Sequence, residues 1–456
     1  MQVIISGNKN ILKLLSRNIH CKENSICRPS SFLLQLETDG LLLLHNTLTG
    51  ELAALSPAEK EVFSRLPAFY CPELKELIEH HFVIADEDAS KESVIVEQLR
   101  ALFLQSRESD GVIDRYNILP TTACNARCFY CYQSDMPHIS MSPETADLLA
   151  DFIAAHHGGK KVSLAWFGGE PTLGRKRIGQ ICGRLRDAGI EYESSMVSNA
   201  YLFDADLVKT AKEDWHLKTI QITLDGTEQT YIRTKQYVDI QDNPYERVLR
   251  NIALFLAEGV KVSVRLNLDQ HNGEDLKDLI EELSGRFGAN ELFHVYVWRL
   301  EEDTGYQPIH HTQAEWEKVQ QQWIALQKLL ETKGWMQVRA DRLPSLKAYS
   351  CMADDPHIIQ CAPDGTLSKC ENQIFEHTVG SLEEGIISDE EILWWKEREV
   401  HEQCRTCPLL PSCELLLKHC TAEYKICFEE RKARTIQSSH ELMRKTYLAH
   451  KEQMNK

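Results

Sequence analysis

Short apolar runs alternate with helix-period segments along the middle of this 456-residue chain. Six runs have the length and residue types of buried strands: 112–120, 161–167, 193–199, 219–225, 260–269 and 292–300. Amphipathic helical patterns lie between most of them, for example after Ser142 and after Asn243. This alternation predicts a parallel sheet with helical crossovers, and the helical pattern at 311–334 that follows is predicted to be a connector.

The first 110 residues have a different pattern. Two apolar runs flank Thr38-Asp39-Gly40, which predicts a β-hairpin, and a third strand follows Thr49-Gly50. Ser56-Pro57-Ala58-Glu59 has the capping residues that begin a helix. A second helix is predicted from Pro72 and a return strand at 82–85. We predict a small α+β unit of winged-helix type over residues 1–110.

The last part of the chain, after residue 335, is rich in cysteine and poor in long periodic segments. This is expected of a domain that metals hold together instead of a large core. The predicted organisation is therefore three domains, at 1–110, 111–335 and 336–456, with a polar, basic surface helix at the end of the third.

Composition narrows the class of protein. Apolar residues make up 43% and charged residues 26%, and no window approaches the ~20 apolar residues of a membrane span. The start of the chain lacks the order of regions in a signal peptide, so a cytoplasmic protein without a membrane partner is expected. The net charge of −17 argues against nucleic-acid binding, which depends on Lys and Arg neutralising phosphates.

Fifteen cysteines in a reducing compartment indicate metal ligands or redox groups. Cys124, Cys128 and Cys131 follow a predicted strand, and three thiolates at this spacing can supply three of the four iron ligands of a 4Fe–4S cubane. A zinc site lacking its fourth ligand and a chance cluster are the alternatives. Zinc ribbons usually have two Cys-x-x-Cys knuckles, and no second one lies near this loop.

Eight further cysteines lie between residues 351 and 427, which is the number that two fully ligated cubanes need. They are Cys351, Cys361, Cys370, Cys404, Cys407, Cys413, Cys420 and Cys427. A zinc-binding tail is the alternative for this group.

Four motifs in order resemble those of the radical S-adenosylmethionine (SAM) superfamily. The loop Cys124-Asn-Ala-Arg-Cys128-Phe-Tyr130-Cys131 resembles its three-cysteine signature. The other motifs are Gly168-Gly169-Glu170-Pro171, Ser198-Asn199-Ala200, and Thr223-Leu224-Asp225-Gly226 with Arg233 beyond it. Each comes at the end of a predicted strand, where parallel sheets and α/β barrels place their chemistry.

This resemblance implies an α/β fold with a partial (β/α)6 TIM barrel and a 4Fe–4S cluster whose open iron binds SAM. One-electron reduction, from a donor such as flavodoxin or ferredoxin, then gives a 5′-deoxyadenosyl radical. The motifs imply cofactor contacts by Tyr130, Gly168, Gly169, Glu170, Ser198, Asn199, Thr223, Asp225 and Arg233. Within this set the resemblance assigns the Gly168-Gly169-Glu170-Pro171 segment to the methionine amino group and Arg233 to the carboxylate.

The cysteine-rich end resembles the SPASM extension of peptide-modifying radical enzymes, which implies two auxiliary 4Fe–4S clusters. It departs from that pattern after Cys413, because six residues instead of three precede Cys420. Glu371 follows Cys370, where sulfatase-maturating relatives have an acidic residue, normally Asp, that acts as a base. The resemblance therefore implies a catalytic role for Glu371, and the alternative hypothesis is that it is a surface carboxylate.

The first 110 residues resemble the peptide-recognition elements of enzymes that mature ribosomally made peptides, which bind a leader peptide as an added strand. A structural cap on the barrel is the alternative. Our first hypothesis is a radical SAM maturase that installs a thioether or carbon–carbon cross-link in a precursor peptide. The second is a sulfatase-maturating enzyme that forms formylglycine from Cys or Ser, and the third is a non-catalytic zinc or iron–sulfur protein.

Overall fold

The N-terminal unit contains the predicted hairpin. In this computed structural model the described residues are 1–105, 111–288, 290–300, 312–335, 343–347, 351–413, 416, 418, 427 and 429–454. The hairpin strands β3 (Leu33–Thr38) and β4 (Leu41–Asn46) pair antiparallel, and β4 also pairs with β5 (Leu52–Leu55). Asp39 and Gly40 have φ of 51° and 76°, the left-handed pair that a two-residue turn requires.

The same unit has elements that the sequence pattern does not reveal. They are β1 (Gln2–Ile5), α1 (Lys9–Asn18), β2 (Ile26–Pro29) and β6 (Ala68–Phe69). Strand β1 completes a four-stranded sheet in the order β1-β5-β4-β3, and β2 is the centre of a second sheet with β6 and β7 (Val83–Ala85). The unit therefore has two sheets and more strands than the hairpin, third strand and return strand that we predicted, and the winged-helix assignment stays a prediction.

Helices of the N-terminal unit begin where capping residues predict. In α2 (Pro57–Ser64) the Ser56 side chain and Glu59 form a reciprocal capping box. A short 3-10 turn and α3 (Lys75–Glu79) occupy the second predicted helix, and α4 (Ala89–Gln105) ends the unit.

A ten-stranded sheet forms the centre of the chain. Six of its strands are parallel neighbours in chain order: β8 (Arg115–Ile118), β9 (Val162–Trp166), β10 (Tyr192–Ser198), β11 (Leu217–Leu224), β12 (Lys261–Leu268) and β13 (Phe293–Arg299). Four lie inside predicted runs, and β10 and β11 begin one and two residues before the runs at 193–199 and 219–225. The predicted α/β class with its large parallel sheet is confirmed.

Helices follow these strands and cover one face of the sheet. They are α5 (Pro143–His156), α6 (Arg175–Asp187), α7 (Ala205–Glu213), α8 (Glu228–Lys235), α9 (Pro244–Ala257), α10 (Gly273–Phe287) and α11 (Gln313–Thr332). The prediction that 311–334 is a connector is wrong, because α11 packs on α10 and β13 and buries Val319, Leu326 and Leu330 in the main core. It is the helix that follows the sixth strand.

Alternate residues of the strands give the sheet a second, more polar face. In β12 Val262, Val264 and Leu266 are buried in the helix-covered core, whereas Arg265 is partly exposed. Tyr296 on β13 faces the same way and donates its hydroxyl to Gln221 on β11 at 2.8 Å. Polar and charged side chains therefore line the face that the helices leave open.

The cysteine-rich segment continues the central sheet. Strand β14 (Ile358–Cys361) pairs parallel with β8, and β15 (Thr366–Ser368), β16 (Gly380–Ser381) and β17 (Gly385–Ile386) extend it antiparallel. Helix α12 (Asp389–Lys396) follows, and α13 (Glu429–Met454) is the last element. The sheet therefore brings the third predicted domain directly beside the strand that precedes the three-cysteine loop.

The N-terminal unit packs against the end of the chain. Leu34 and Leu43 share a buried cluster with Met443 and Tyr447 of α13, so this helix is partly buried and not only a surface helix as predicted. Thr47 donates its hydroxyl to the Pro408 carbonyl at 2.5 Å, between two of the distal cysteines. Within the described part of the chain, no helix has the length and apolarity to cross a membrane.

Candidate active site

The loop after β8 brings Cys124, Cys128 and Cys131 together in partly buried positions. The Arg127 guanidinium closes the loop by donating to the carbonyls of Cys124 and Ala126 at 2.7 and 2.8 Å. Burial raises the pKa of the Cys124 thiol to about 12, and the nearby Glu170 carboxylate and the other two thiols act in the same direction. Burial also raises the pKa values of Cys128 and Cys131. These thiols need a strong cationic partner to become thiolates, which a metal centre supplies.

Within the described part of the chain, the three thiols are not arranged as a ready site for a single metal ion. Among the described residues, no three Cys, His, Asp or Glu side chains converge on one point that a metal ion could occupy. A tetrahedral zinc, with Zn–S bonds of about 2.3 Å, needs its sulfur ligands within about 4 Å of one another. A cubane binds each thiolate on a different iron and so accepts a wider arrangement.

Two glycines after β9 let the turn lie directly under this loop. A Cβ on Gly168, whose φ is +120°, would lie 2.4 Å from the Thr121 carbonyl oxygen, and one on Gly169 would lie 2.2 Å from that of Ala123. The backbone N–H of Glu170 donates to the Ala123 carbonyl at 2.9 Å. Any side chain at these two glycines would push the loop away from the turn.

Glu170 is fully buried and joins the ends of β9 and β10. One carboxylate oxygen accepts the Ser198 hydroxyl at 2.8 Å and both the N–H and the hydroxyl of Thr172, and the other accepts the Asn199 N–H at 2.8 Å. Burial raises the pKa of Glu170, and these hydrogen bonds oppose the rise. The Asn199 amide then donates to the Asn125 side chain at 2.7 Å, which ties both strand ends to the cysteine loop.

The end of β11 contributes a buried polar network that includes a residue missed by the sequence analysis. Both carboxylate oxygens of Asp225 accept the Tyr130 hydroxyl at 3.0 Å, and Asn267 of β12 donates to one of them at 2.8 Å. The missed residue is Lys235, which is 1% exposed and lies 3.0 Å from the Asp225 carboxylate. Its ammonium also donates to the Tyr130 hydroxyl and to Thr223.

The two cations at the end of α8 lie in different environments. Arg233, expected from the resemblance to face the cofactor, is an exposed residue of this helix. Burial acts to lower the pKa of Lys235, but the charges of Asp225 and Cys128 outweigh it and raise that pKa well above its ordinary value. The two residues are only two positions apart, and the sequence does not show which of them is buried, but the structure does.

The cysteine-rich segment meets the loop at Tyr132. Burial raises the pKa of the Tyr132 phenol, and Glu371, Cys131 and Cys370 are close enough to add to that rise. Glu371 is itself partly buried, which raises the pKa of its carboxyl against the opposing charge of Arg265. Glu371 is therefore not the solvated surface carboxylate of the alternative reading.

Arg265 lies on the polar face of the sheet beside this junction. Its guanidinium lies 4.8 Å from the ring centroid of Trp298 and donates to the Asn267 side chain at 2.9 Å. Trp298 is 53% exposed although it is a large apolar residue. An exposed aromatic ring with a stacked cation on an open sheet face is a surface suited to binding a substrate.

The described cysteines after residue 350 lie mainly in two regions. Cys361 is fully buried in β14, and Cys351 and Cys370 pack against the same core. Cys404, Cys407 and Cys413 lie where the N-terminal unit packs, and Cys427 is exposed. Cys420 lies outside the described residues.

Arg100 of α4 reaches the second of these regions. It is 7% exposed and donates to the carbonyls of Pro411 and Cys413 at 3.0 and 2.8 Å. Its Nε and Nη1 are buried with no hydrogen-bond partner among the described residues. Burial lowers the pKa of Arg100, and Cys413 opposes this. A buried guanidinium with spare donors beside cysteines fits an anionic group bound there.

Comparison with known proteins gives one family match and several partial relatives. Residues 118–283 match the family model of the Radical SAM superfamily. The chain is 29% identical over 168 residues to the Fe-coproporphyrin III synthase of Methanosarcina barkeri, covering 36% of this chain and 39% of that protein. It is 27% identical over 181 residues to the GTP 3′,8-cyclase of Sulfurimonas denitrificans, covering 38% of this chain and 52% of that protein. The chain thus spans about half or less of the length of both relatives.

Solved structures show the same fold. Native anSMEcpe with bound AdoMet superimposes with a TM-score of 0.56 at 14% identity, over 75% of this chain and 99% of that one. The same protein with bound AdoMet and the Cp18Cys peptide gives 0.54 at 13% identity, over 74% and 99%. The overlap therefore extends beyond the residues that the family model matches.

Proposed function

We propose, on the premise that residues 118–283 of this chain are a radical SAM domain, that the protein cross-links residues of a ribosomally made precursor peptide. The radical SAM family implies a 4Fe–4S cluster with SAM. We further propose that the substrate is a peptide and that the distal cysteines bind auxiliary clusters. The observation that carries it is that the charges of Glu371 and Cys370, in the cysteine-rich segment, act on Tyr132, the residue that follows Cys131 of the first loop. A site with a radical-generating loop on one side and a base with distal cysteines on the other suits removal of two hydrogens.

The residues at the strand ends would hold the cofactor. Cys124, Cys128 and Cys131 are the three thiol donors for the cluster, and the buried amide nitrogen of Asn125 has no partner among the described residues. The cluster, when bound, supplies the electron that cleaves SAM. The protein's own residues position the cofactor at the strand ends of β9, β10 and β11 and exclude water from it.

The proposed reaction balances as a two-electron oxidation of the peptide. The 5′-deoxyadenosyl group would take one hydrogen atom from a carbon of the peptide. It would then leave as 5′-deoxyadenosine. Bond formation to a second peptide atom, sulfur or carbon, releases one proton and one electron. We assign the proton to Glu371, whose burial favours the protonated form. The distal cysteines would hold auxiliary 4Fe–4S clusters, which would supply an acceptor for the electron.

The N-terminal unit is proposed to bind the leader segment of the peptide. Ile26 and Phe69 are paired across β2 and β6 and are 47% and 70% exposed. Strand β6 is at the edge of its sheet, so its outer backbone groups can pair with an added strand. An apolar pair beside an open edge suits an extended peptide with apolar side chains. We place this activity in the cytoplasm, with a flavodoxin or ferredoxin as electron donor.

Formylglycine formation in a sulfatase is the second candidate, and the position of Glu371 favours it. Glu371 directly follows Cys370, is partly buried and acts electrostatically on Tyr132, as a base for a substrate thiol or hydroxyl would. Glu371 alone does not separate the two reactions, but the products do. A cross-link keeps the sulfur of a Cys substrate, whereas formylglycine formation from Cys loses it.

The test uses short reading frames beside the gene. Each candidate peptide is incubated anaerobically with the reconstituted enzyme, SAM and a reductant, and is analysed by mass spectrometry. We expect loss of two hydrogens with the sulfur retained, and no reaction for the same peptide without its leader. An unmodified full-length peptide from every candidate, with an enzyme that cleaves SAM, would contradict the cross-linking proposal. A loss of sulfur would support formylglycine formation instead.

A further inference from the structure

Lys235 is a buried cation that no motif of the sequence identifies. Its ammonium lies 2.6 Å from the Thr223 hydroxyl, 2.9 Å from the Tyr130 hydroxyl and 3.0 Å from the Asp225 carboxylate. It also lies 5.5 Å from the Tyr130 ring centroid and 5.8 Å from that of Tyr231. A lysine removed from water in this way is retained only where fixed negative charge and hydrogen bonds replace its hydration.

The same residue anchors the three-cysteine loop through its backbone. The Arg127 N–H donates to the Lys235 carbonyl at 2.8 Å, and the Val238 N–H donates to the Asn125 carbonyl at 2.9 Å. The end of α8 therefore fixes the loop at two points, and the ammonium fixes a third through Tyr130. Two residues of the chain outside the loop, Lys235 and Val238, thus hold the cysteines in relation to β11.

Lys235 and Asp225 place opposite charges against the cysteine loop. The Tyr130 hydroxyl, on the residue before Cys131, accepts from the Lys235 ammonium at 2.9 Å and donates to the Asp225 carboxylate at 3.0 Å. A cluster bound by three thiolates becomes one charge more negative when it is reduced, so a nearby fixed cation stabilises the reduced form and a nearby anion destabilises it.

We propose that Lys235 is a positioning residue of the cluster: it holds the cysteine loop against β11 and raises the reduction potential of the cluster, with Asp225 as the opposing charge. This inference rests on the first cluster of the proposed function and is independent of the peptide. It predicts effects of opposite sign from two residues that are in contact with each other. A purely structural role for the pair predicts that loss of either residue disturbs the loop in the same way.

The test is an EPR-monitored redox titration of the holoenzyme, following the cluster signal that changes on addition of SAM. In Lys235→Met we expect the ratio of reduced to oxidised cluster at a fixed potential to fall about tenfold, which is about 59 mV for a one-electron couple. Asp225→Asn is expected to raise that ratio, and the double variant is expected to return close to the wild-type value. Lys218→Met is the matched control, because Lys218 is exposed at the other end of β11.

Two further variants keep the test valid if a single variant folds badly. Breaking one side of a buried ion pair is strongly destabilising, so Lys235→Arg, which keeps the charge, and the double variant are measured beside Lys235→Met. Shifts of the same sign in Lys235→Met and Asp225→Asn, or no shift in either, would overturn the proposal for Lys235. A wild-type enzyme without any SAM-responsive cluster would instead overturn the proposed function.

Discussion

The Glu170 carboxylate accepts the backbone N–H of Asn199 at 2.8 Å and thereby joins the ends of two neighbouring strands below the three-cysteine loop. The Asn199 side-chain amide in turn donates a hydrogen bond to Asn125 of the loop. The carboxylate accepts hydrogen bonds from four donors and donates none. A side chain with fewer acceptors cannot satisfy all four donors.

Replacing Glu170 by Gln tests this arrangement. The amide nitrogen must face either the Asn199 N–H or the Thr172 and Ser198 donors, so at least one buried donor loses its acceptor. We expect the free energy of unfolding to fall by about 1–3 kcal/mol. Urea unfolding of the metal-free protein measures it, with Glu213→Gln at the exposed end of α7 as the control. An E170Q protein as stable as the wild type would show that Glu170 does not tie these strands.

Glu371 is expected to act on the substrate and not on SAM. In Glu371→Gln the proton acceptor is lost while the loop at 124–131 is untouched. Cleavage of SAM to 5′-deoxyadenosine should therefore continue, and peptide product should fall at least about a hundredfold, the usual contribution of a general base. Chromatography of both products measures this, with Glu376→Gln, exposed in the same loop, as control. Equal loss of both products would place Glu371 in the cofactor site instead.

Arg100 is expected to be needed for an auxiliary cluster. Its unpaired buried donors beside Cys413 would face the negative charge of thiolate-bound iron. After anaerobic reconstitution we expect about twelve iron per chain in the wild type and about eight in Arg100→Met, since each cubane holds four. Arg17→Met, on the exposed side of α1, serves as the control. Twelve iron in the R100M protein would remove the electrostatic role that we assign to this residue.

Lys369 makes the stability of the fold depend on pH. It is 4% exposed, and its amine donates to the carbonyls of Asp355 and Ile358 at 2.7 and 2.6 Å. Burial lowers its pKa from 10.5 to about 8. The folded pKa is below the unfolded one, so the cost of burying the charged amine is full below pH 8 and declines as pH rises toward 10.5.

Lys369→Met has no such group to titrate. We therefore expect the difference in unfolding free energy, wild type minus Lys369→Met, to increase by about 1.5 kcal/mol between pH 8 and 9.5. Urea unfolding of both proteins at the two pH values measures it. In Lys369→Met the carbonyls of Asp355 and Ile358 lose their donor, but this cost does not change with pH and so cancels in the comparison. A difference that stays constant over this interval would mean that the buried amine keeps its ordinary pKa.

The central strands could be predicted because apolar runs of strand length directly encode burial. Each observed strand from β8 to β13 matches a predicted run to within two residues, and the polar residues at their ends meet at one edge as parallel pairing requires. Strands β1, β2 and β6 were missed because they are two to four residues long and carry no alternation.

The residues that the sequence could not identify depend on contacts between distant segments. Arg100 meets the carbonyl of a residue 313 positions away, and no local pattern encodes this. Lys235 and Arg233 lie on one short helix, and only the packing of α8 against the loop separates the buried cation from the exposed one. Cys420, whose assignment the sequence left open, lies outside the described residues.

Reductive cleavage of SAM by the reconstituted protein tests the central claim most directly, because it reports the open cluster at 124–131 without knowledge of the peptide. With dithionite and SAM under anaerobic conditions, the wild-type protein is predicted to form 5′-deoxyadenosine. Cys124→Ala is predicted to form none and to retain about eight of its twelve iron, since only one of three cubanes is lost. A wild-type protein that binds zinc without sulfide, or a C124A protein that cleaves SAM as fast as the wild type, would contradict the account.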